Sequence, residues 1–552
     1  MLLAYFASLP LLTRVGSWYS FWYNVGFFGL FPTQDLNSFE IDSPVVDIFQ
    51  WDPRCDYGYV FLGPRGSSVT NPGPVILDAR GNVVWIGTQF DLQATDVKVQ
   101  RYRGQDYLTF WSGRDDSIHG YGSYYMLNSS YDTSYVLTPV GDIDGDLHEF
   151  RITEDATALI TGYEITTADL SSLGKSHKGW IYDAVIQEID IETGHLIFQW
   201  RASSFYAVND TFAPIGDRGS GKDNPFDYFH VNSVDKDPQG NYYVSSRYLH
   251  TVTCINSTGE VIFVLGGKRN SFTDVSGEPA SYFSWQHDAN WHPNSVLTVF
   301  DNGRADSHVS GDYSRGLSVS LNLQNMTSSV LQVYENPHYL LSPSQGSMQV
   351  IPETGNILIG WGHIPAYTEY APDGEVLCDI HFGAGLFFEW GWVKSYRVFK
   401  GGAWTGRPSV PPDIDVYENT VYISWNGATE VTGWMLECSS YPHAADEEFE
   451  SILFVSKDGF ETVFELPDEL DSYFRIAALD SGGQRLGYTK VFDSSSGQAV
   501  SGIILPPGLE ETVPLQEPLL AACALGTAIV VIWRCYRKLQ SISSRWNLLD
   551  IS

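Results

Sequence analysis

Three histidines and one arginine carry the most distinctive chemistry in this sequence. His148 stands in DGDLHEFRIT, His230 in FDYFHVNSV and His287 in FSWQHDANWHP, while Arg247, in VSSRYLH, follows His230 by 17 residues. Imidazole is a neutral nucleophile near pH 7 and also serves as acid or base. A guanidinium fork neutralises an oxyanion-rich group such as sulfate or phosphate. Three histidines can also hold Zn²⁺. A neighbouring arginine disfavours that, and the chain contains no HExxH, so no metal is assigned to this set. Each histidine taken singly also reads as a buried, hydrogen-bonded strand residue; the combination points to an anion site.

The elements that must position these groups are short strands. Between residues 45 and 400 no long amphipathic helix is evident, and a turn carrying Gly followed by an apolar strand recurs. It appears as DARGNVVWIG (78–87), IETGHLIFQW (191–200), DPQGNYYVSS (237–246), NSTGEVIFVLGG (256–267), PETGNILIGWG (352–362) and PDGEVLCDI (372–380). Gly tolerates the positive φ of a tight turn between two half-buried strands. Gly240 to Gly259 and Gly355 to Gly374 both span 19 residues, the repeat that successive hairpins of a propeller blade would give. An array of β-sandwiches is the alternative. Segments 201–227 and 303–330 read as loops on one face. Each of the three histidines opens a presumed blade, so pseudo-symmetry would bring them together at the mouth of a central channel.

Length, charge and cysteine usage set the frame. The 552 residues carry a net charge of −34, a field that repels a phosphate backbone and excludes a general nucleic-acid binder. Six cysteines form no CxxC pair, so zinc ribbons and thioredoxin-like chemistry have no support. Sequons at Asn128, Asn209, Asn256 and Asn325 are compatible with a glycosylated lumenal or extracellular face.

At about residue 404 the texture changes. A Pro-rich joint, RPSVPPDI, leads into alternating strands at 408–493, with Trp on an early strand and a Tyr/Phe-x-Ile pattern late, as in a fibronectin type III-like sandwich. A Pro/Glu-rich linker (494–517) precedes an uncharged segment, read with its flanks as a single transmembrane helix at 518–536. Arg534, Arg537 and Lys538 put the tail 537–552 in the cytoplasm and the rest outside. Residues 1–32 read as a signal peptide, or else as a signal anchor or hydrophobic N-terminal arm.

The stretches HEFRIT, FHVNSV, SSR and QHDANWHPNSVLTVFDNG resemble the arylsulfotransferase (arylsulfate sulfotransferase) family, and PGPVILDARGNVVWIG resembles the start of its fungal-type, membrane-anchored branch. The resemblance runs from about residue 45 to 400. It implies a six-bladed propeller at 45–403, with five blades the alternative, and an all-β protein. It also implies sulfuryl transfer between phenols through a sulfohistidine, without a nucleotide donor or other cofactor. His287 matches the nucleophile, while His148, His230 and Arg247 match the positions binding the sulfuryl oxygens. Aryl sulfates and phenols are then the small-molecule partners, and Trp285 or Trp291 would stack the aryl ring if not simply packed in the core. Asp288 would face away from His287, and Asp301 and Asn302 would form a turn. Closing a ring would bring Cys55 to Cys378 as a disulfide, two separate buried thiols being the alternative. A non-catalytic cell-surface binding or adhesion module is the competing functional reading.

Overall fold

The computed structural model describes residues 18–500 apart from 91, 278, 306–307 and 402–403. The described chain is all-β: its longest helix, α1 (Trp18–Asn24), has 7 residues. The apolar segment 518–536 and the first 17 residues lie outside the described residues. Among the described residues no helix is long and apolar enough to cross a membrane.

Six arrays, each built on four antiparallel strands, follow one another among the described residues; Thr273–Asp274 adds a parallel edge strand to the fourth and Asp47–Gln50 an antiparallel one to the fifth. Their innermost strands are β1 (Gln93–Tyr102), β2 (Asp144–Ile152), β3 (Val231–Lys236), β4 (His287–His292), β5 (Ser347–Val350) and β6 (Val398–Gly401). In each of the first five arrays the chain runs outward strand by strand. The sixth combines the two ends of the series, β6 pairing with Tyr59–Leu62 ahead of Val75–Leu77 and Val83–Ile86. The arrays of β1 and β2 are joined by a single pair, Gly145 with Gly122. Inner strands touch in cyclic order, β1 to β2, β3, β4, β5, β6 and back to β1.

The repeated turns have the expected meaning. Gly240 (φ 84°) closes the first hairpin of the β3 array and Gly259 (φ 92°) its last, so the 19-residue interval is the step from one hairpin to the next within one array. The long gap at 201–227 is largely irregular, but 303–330 is not a loop. Arg315–Asn322 and the start of Thr327–Glu335 are paired strands there, and the irregular part ends at Ser314. Those strands turn through Asn322–Met326 without a glycine, as the hairpin at Thr153–Ala156 also does, which is why the glycine pattern missed them.

Polar groups, not only apolar ones, hold the inner rim. Arg397, just before β6, is completely buried. It contacts Asp96 of β1 at 2.8 Å, Glu149 of β2 at 3.1 Å, the Asn232 carbonyl of β3 at 2.9 Å and Asp288 of β4 at 3.6 Å. Lys98 bridges the same Asp96 and Glu149 at 2.8 and 3.1 Å. A disulfide joins Cys55 to Cys378, on the fourth strand of the β5 array. Beside it, α1 docks on the same array through Tyr23, whose hydroxyl donates to the Val45 and His381 carbonyls at 2.8 and 3.3 Å.

Residues 413–493 form two antiparallel sheets, three strands over four with a short edge strand, around Trp434, Leu436, Ile423, Phe474 and Ile476. They are docked on the ring and are not a free spacer. Asn426 bonds the Ile86 backbone through both amide atoms at 2.9 Å, and the Tyr131 hydroxyl donates to the Gly427 carbonyl at 2.8 Å.

Replacing Arg397 with Met strips Asp96, Glu149 and Asp288 of their shared cation. The expected loss is about 3–5 kcal/mol in chemical denaturation of the full chain. A loss below about 1 kcal/mol would show that the inner rim does not need this hub.

Candidate active site

The three histidines sit at corresponding places on three successive inner strands. His148 lies within β2, His230 immediately precedes β3 and His287 begins β4. Arg247 follows the second strand of the β3 array, and its backbone N–H donates to the His230 carbonyl at 2.9 Å. The hairpin thus returns the arginine beside the histidine 17 positions earlier.

Each imidazole is tied down at Nδ1. His148 Nδ1 lies 2.5 Å from Asp146 Oδ2, and His230 Nδ1 lies 2.7 Å from Asp227 Oδ2. His287 Nδ1 lies 2.7 Å from Asn302 Oδ1. Asn302 Nδ2 donates to the Ser342 and Gln345 carbonyls at 3.1 and 3.0 Å, so its Oδ1 must be the end that accepts from His287. In the neutral rings the lone pair therefore resides on Nε2. The rings of His148 and His230 are 4.8 Å apart and perpendicular, and among the described residues no protein group bonds Nε2 of either. His287 Nε2 accepts the Gln345 backbone N–H at 3.1 Å.

Charge distinguishes the three. Burial, followed by the nearby Arg247, holds the His287 pKa well below its ordinary value, leaving a neutral ring at physiological pH. Burial also lowers His230, to about 4, against the pull of Asp227. Arg247 stacks over Tyr248 and Trp285, donates to the Pro343 carbonyl at 2.9 Å and approaches the Tyr248 hydroxyl at 3.3 Å. Its Nε is buried without a partner, and among the described residues no carboxylate pairs with it. Arg247 thus stands close enough to His230 and His287 to disfavour charge on both, with no carboxylate partner among the described residues, chemistry that suits an anion.

Sequence reasoning missed several members. Asn302 is more than a turn former: it orients His287. Its companion Asp301 does shape the turn, accepting the Ser284 and Gly303 N–H groups, and also pairs with Arg315 at 3.1 Å. Tyr396 lies 5.6 Å from the His148 ring and 6.2 Å from His287, its buried hydroxyl without a partner. His119 Nε2 is 3.0 Å from Asp227 Oδ2, the oxygen that also serves His230, and its Nδ1 is 3.3 Å from Asp116. Burial opposes charge on His119, but the bonds to Asp116 and Asp227 outweigh it and raise the pKa to about 9. None of these carried a local motif; each is brought in by a neighbouring strand or loop.

Asp288 faces away from His287, as expected, although through a bulge and not through simple alternation. Its φ is 51°, the β4 register shifts between His287 and Asn290, and its carboxylate accepts the Met348 N–H at 2.9 Å. His230, Trp285 and Gln345 also adopt positive φ, a concentration of backbone strain at one site. Of the two tryptophans, Trp285 borders the site beside Arg247. Trp291 stacks on Tyr243 at 4.3 Å and lines cavities of about 390 and 740 Å³ that contain none of the site residues.

The arylsulfotransferase (ASST) family model matches residues 98–383, just over half of the chain and the span that holds all four predicted residues. No curated protein matches the sequence. Among solved structures, a protein of unknown function from Bacteroides caccae is 12% identical and matches over 62% of this chain and 98% of its own, with a TM-score of 0.35. The major Malassezia sympodialis allergen Mala s 1 is 10% identical over 60% and 86%, with a TM-score of 0.29. A streptogramin B lyase is 9% identical over 69% and 94%, with a TM-score of 0.32. Scores this low carry nothing across to this chain.

Because the His119 pKa is raised on folding, its contribution to stability is full below about pH 6.5, its unfolded value, and is lost as pH rises through 9. Denaturation of the full chain is expected to show a decline of about 3 kcal/mol over that window. The decline should disappear in His119→Gln. A wild-type stability that is flat there, or a decline that survives in the variant, would remove the imidazolium from the site.

Proposed function

The chain belongs to the arylsulfotransferase family, and on that premise we propose that it transfers a sulfuryl group from a phenolic sulfate ester to a phenol through His287. The observation that carries this reading is the common anchoring of the three imidazoles through Nδ1. Every Nδ1 is anchored, and a neutral His287 stands with two carboxylate-backed histidines beside an arginine that has no counter-ion.

In the first half-reaction the Nε2 lone pair of His287 forms an N–S bond while the S–O bond to the aryl oxygen breaks. The phenolate leaves with the electron pair. Gln345 N–H releases Nε2 as sulfur approaches and becomes available to a sulfuryl oxygen. Asn302 cannot take the Nδ1 proton, so the sulfated ring stays cationic and remains a good leaving group. The second phenol oxygen then attacks sulfur, the N–S bond breaks, and its electron pair returns to Nε2. Arg247 neutralises the sulfuryl oxygens throughout. His230 donates to them only after taking a proton on Nε2, a charge that Asp227 is placed to stabilise, and His148, held by Asp146, stands beside it. No cofactor is required.

In the same reading the six arrays are the blades of a propeller, supported by the cyclic order of the inner strands. Residues 413–493 are a fibronectin type III-like sandwich, supported by the three-over-four strand arrangement. Segment 518–536 anchors the protein, with the ring on the extracellular or lumenal side and the tail cytoplasmic, as in a fungal-type, membrane-anchored branch. The four sequons lie in turns or loops, where a glycan can be carried: Asn128, Asn256 and Asn325 between paired strands and Asn209 in the 201–227 segment.

With p-nitrophenyl sulfate as donor and a phenol as acceptor, the full chain should release p-nitrophenol with ping-pong kinetics, and His287→Ala should lower kcat at least about 10³-fold. Release that persists in the variant would end the proposed mechanism. A folded protein inert toward all aryl sulfates would favour the binding module, with Gln345 permanently covering Nε2. Sulfate should bind the free site with proton uptake on His230, whose pKa burial lowers to about 4, so its affinity should fall as pH rises above that value, by up to about tenfold per unit. Calorimetry in buffers of different ionisation heat checks this; an affinity independent of pH would show that Arg247 acts alone.

A further inference from the structure

A second histidine cluster stands apart from the site above and shares no residue with it. Asp379 and His381, two positions apart on the fourth strand of the β5 array, which Asp47–Gln50 covers at its outer edge, point to one face of that strand. His338, from the segment between the β4 and β5 arrays, reaches the same place. His338 Nε2 is 3.1 Å from Asp379 Oδ2, and His381 Nε2 is 3.7 Å from it; the three atoms lie within 4.8 Å of one another.

The hydrogen bonds around this cluster leave it incomplete. Asn24 Nδ2 donates to the Ser20 carbonyl and to Asp47 Oδ2, at 2.8 and 2.7 Å, which turns Asn24 Oδ1 toward His381 Nδ1 at 2.9 Å. His381 must therefore carry its proton on Nδ1, and Nε2 presents a lone pair to the carboxylate. Both Nε2 of His381 and Oδ2 of Asp379 are buried with no hydrogen-bond partner. Asp379 and His381 are 1% and 4% exposed. The two imidazoles are the only ion-pair contacts of Asp379 among the described residues, so neither Lys nor Arg supplies a counter-charge. Phe49 and Phe388 wall the cluster, their rings 4.8 and 4.9 Å from His381. His381 Nε2 and Asp379 Oδ2 present lone pairs to each other in this apolar wall, with only the His338 ring, 3.1 Å from Oδ2, beside them, an arrangement that a shared cation would stabilise.

We propose that His338 Nε2, Asp379 Oδ2 and His381 Nε2 bind one Zn²⁺ that clamps the fourth strand of the β5 array to the segment preceding that array. Zinc bonds of about 2.0–2.1 Å in a tetrahedron place ligand atoms roughly 3.3 Å apart, close to the separations found here. Asn24 on α1 and Thr368 on the neighbouring strand then act in the second shell. Asn24 fixes the tautomer of His381, and the Thr368 hydroxyl donates to Asp379 Oδ1 at 2.8 Å. Cys378 precedes Asp379 on the same strand, so the metal and the Cys55–Cys378 disulfide would both hold that strand, from opposite faces.

The full chain, stripped of metal and then given Zn²⁺ alone, should retain about one zinc per chain after gel filtration, measured by plasma mass spectrometry, with a rise in Tm. His338→Gln alters a partly exposed residue, and its metal-free melt should match that of wild type. Together with Asp379→Asn it should lose at least about tenfold in zinc affinity. His119→Gln, in the other His–Asp–His group, should keep wild-type affinity. Two results would overturn the site: no zinc retained by wild type, or zinc that survives in His338→Gln and Asp379→Asn but is lost in His119→Gln.

Discussion

Arg397 is the contact on which the rest of this architecture depends. A guanidinium with no solvent exposure is costly to bury unless several anions and carbonyls converge on it. Here they come from four inner strands, Asp96, Glu149, Asn232 and Asp288, so the cation is satisfied only when β1 to β4 stand in their native order around it. Apolar packing between neighbouring arrays is not directional in this way. The hub therefore supplies register where four separately formed strands must agree.

The same strands carry the functional rim. Glu149 follows His148 on β2, Asp288 follows His287 on β4, and Tyr396, between the two histidine rings, precedes Arg397 itself. Adjacent residues are thus divided between a charged floor and an imidazole site. The bulge at Asp288 makes this possible on β4, turning its carboxylate to Met348 N–H and Arg397 while His287 keeps its bond to Asn302. The left-handed φ at Asp288, His230, Trp285 and Gln345 is the conformational cost of aiming these groups, and the packed ring sustains it.

Within the rim, the choice of partner sets the role of each imidazole. Asp146 and Asp227 can stabilise an added proton on His148 and His230; Asn302 gives His287 an orientation without that charge. Asp227 is shared with His119, so an imidazolium already stands one carboxylate away from the anion site. The net charge of −34 leaves such interior cations conspicuous. Lys98, Arg151 and Arg397 serve the floor, while Arg247, beside His230 and His287, has no carboxylate partner among the described residues.

Much of this was legible from the order of residues. Glycines 19 apart reported hairpins within one array because a tight turn requires positive φ wherever it occurs, a local constraint that leaves a local mark. The common placement of the histidines showed in their recurrence at the same point of the repeat, and that of Arg247 in its distance of one hairpin from His230. The pairing of Cys55 with Cys378 followed from requiring the ends of a ring to meet. The turn at Asn322–Met326 lacked glycine and went unread. Only the tertiary structure decided the partners: Asn302 as the orienting group of His287, His119 behind Asp227, Tyr396 between two imidazoles, and Arg397 beneath them. These contacts join residues 15 to about 300 positions apart. A side chain's hydrogen-bond partner is set by which strands the ring places side by side, and nothing near either residue in the sequence has to announce it.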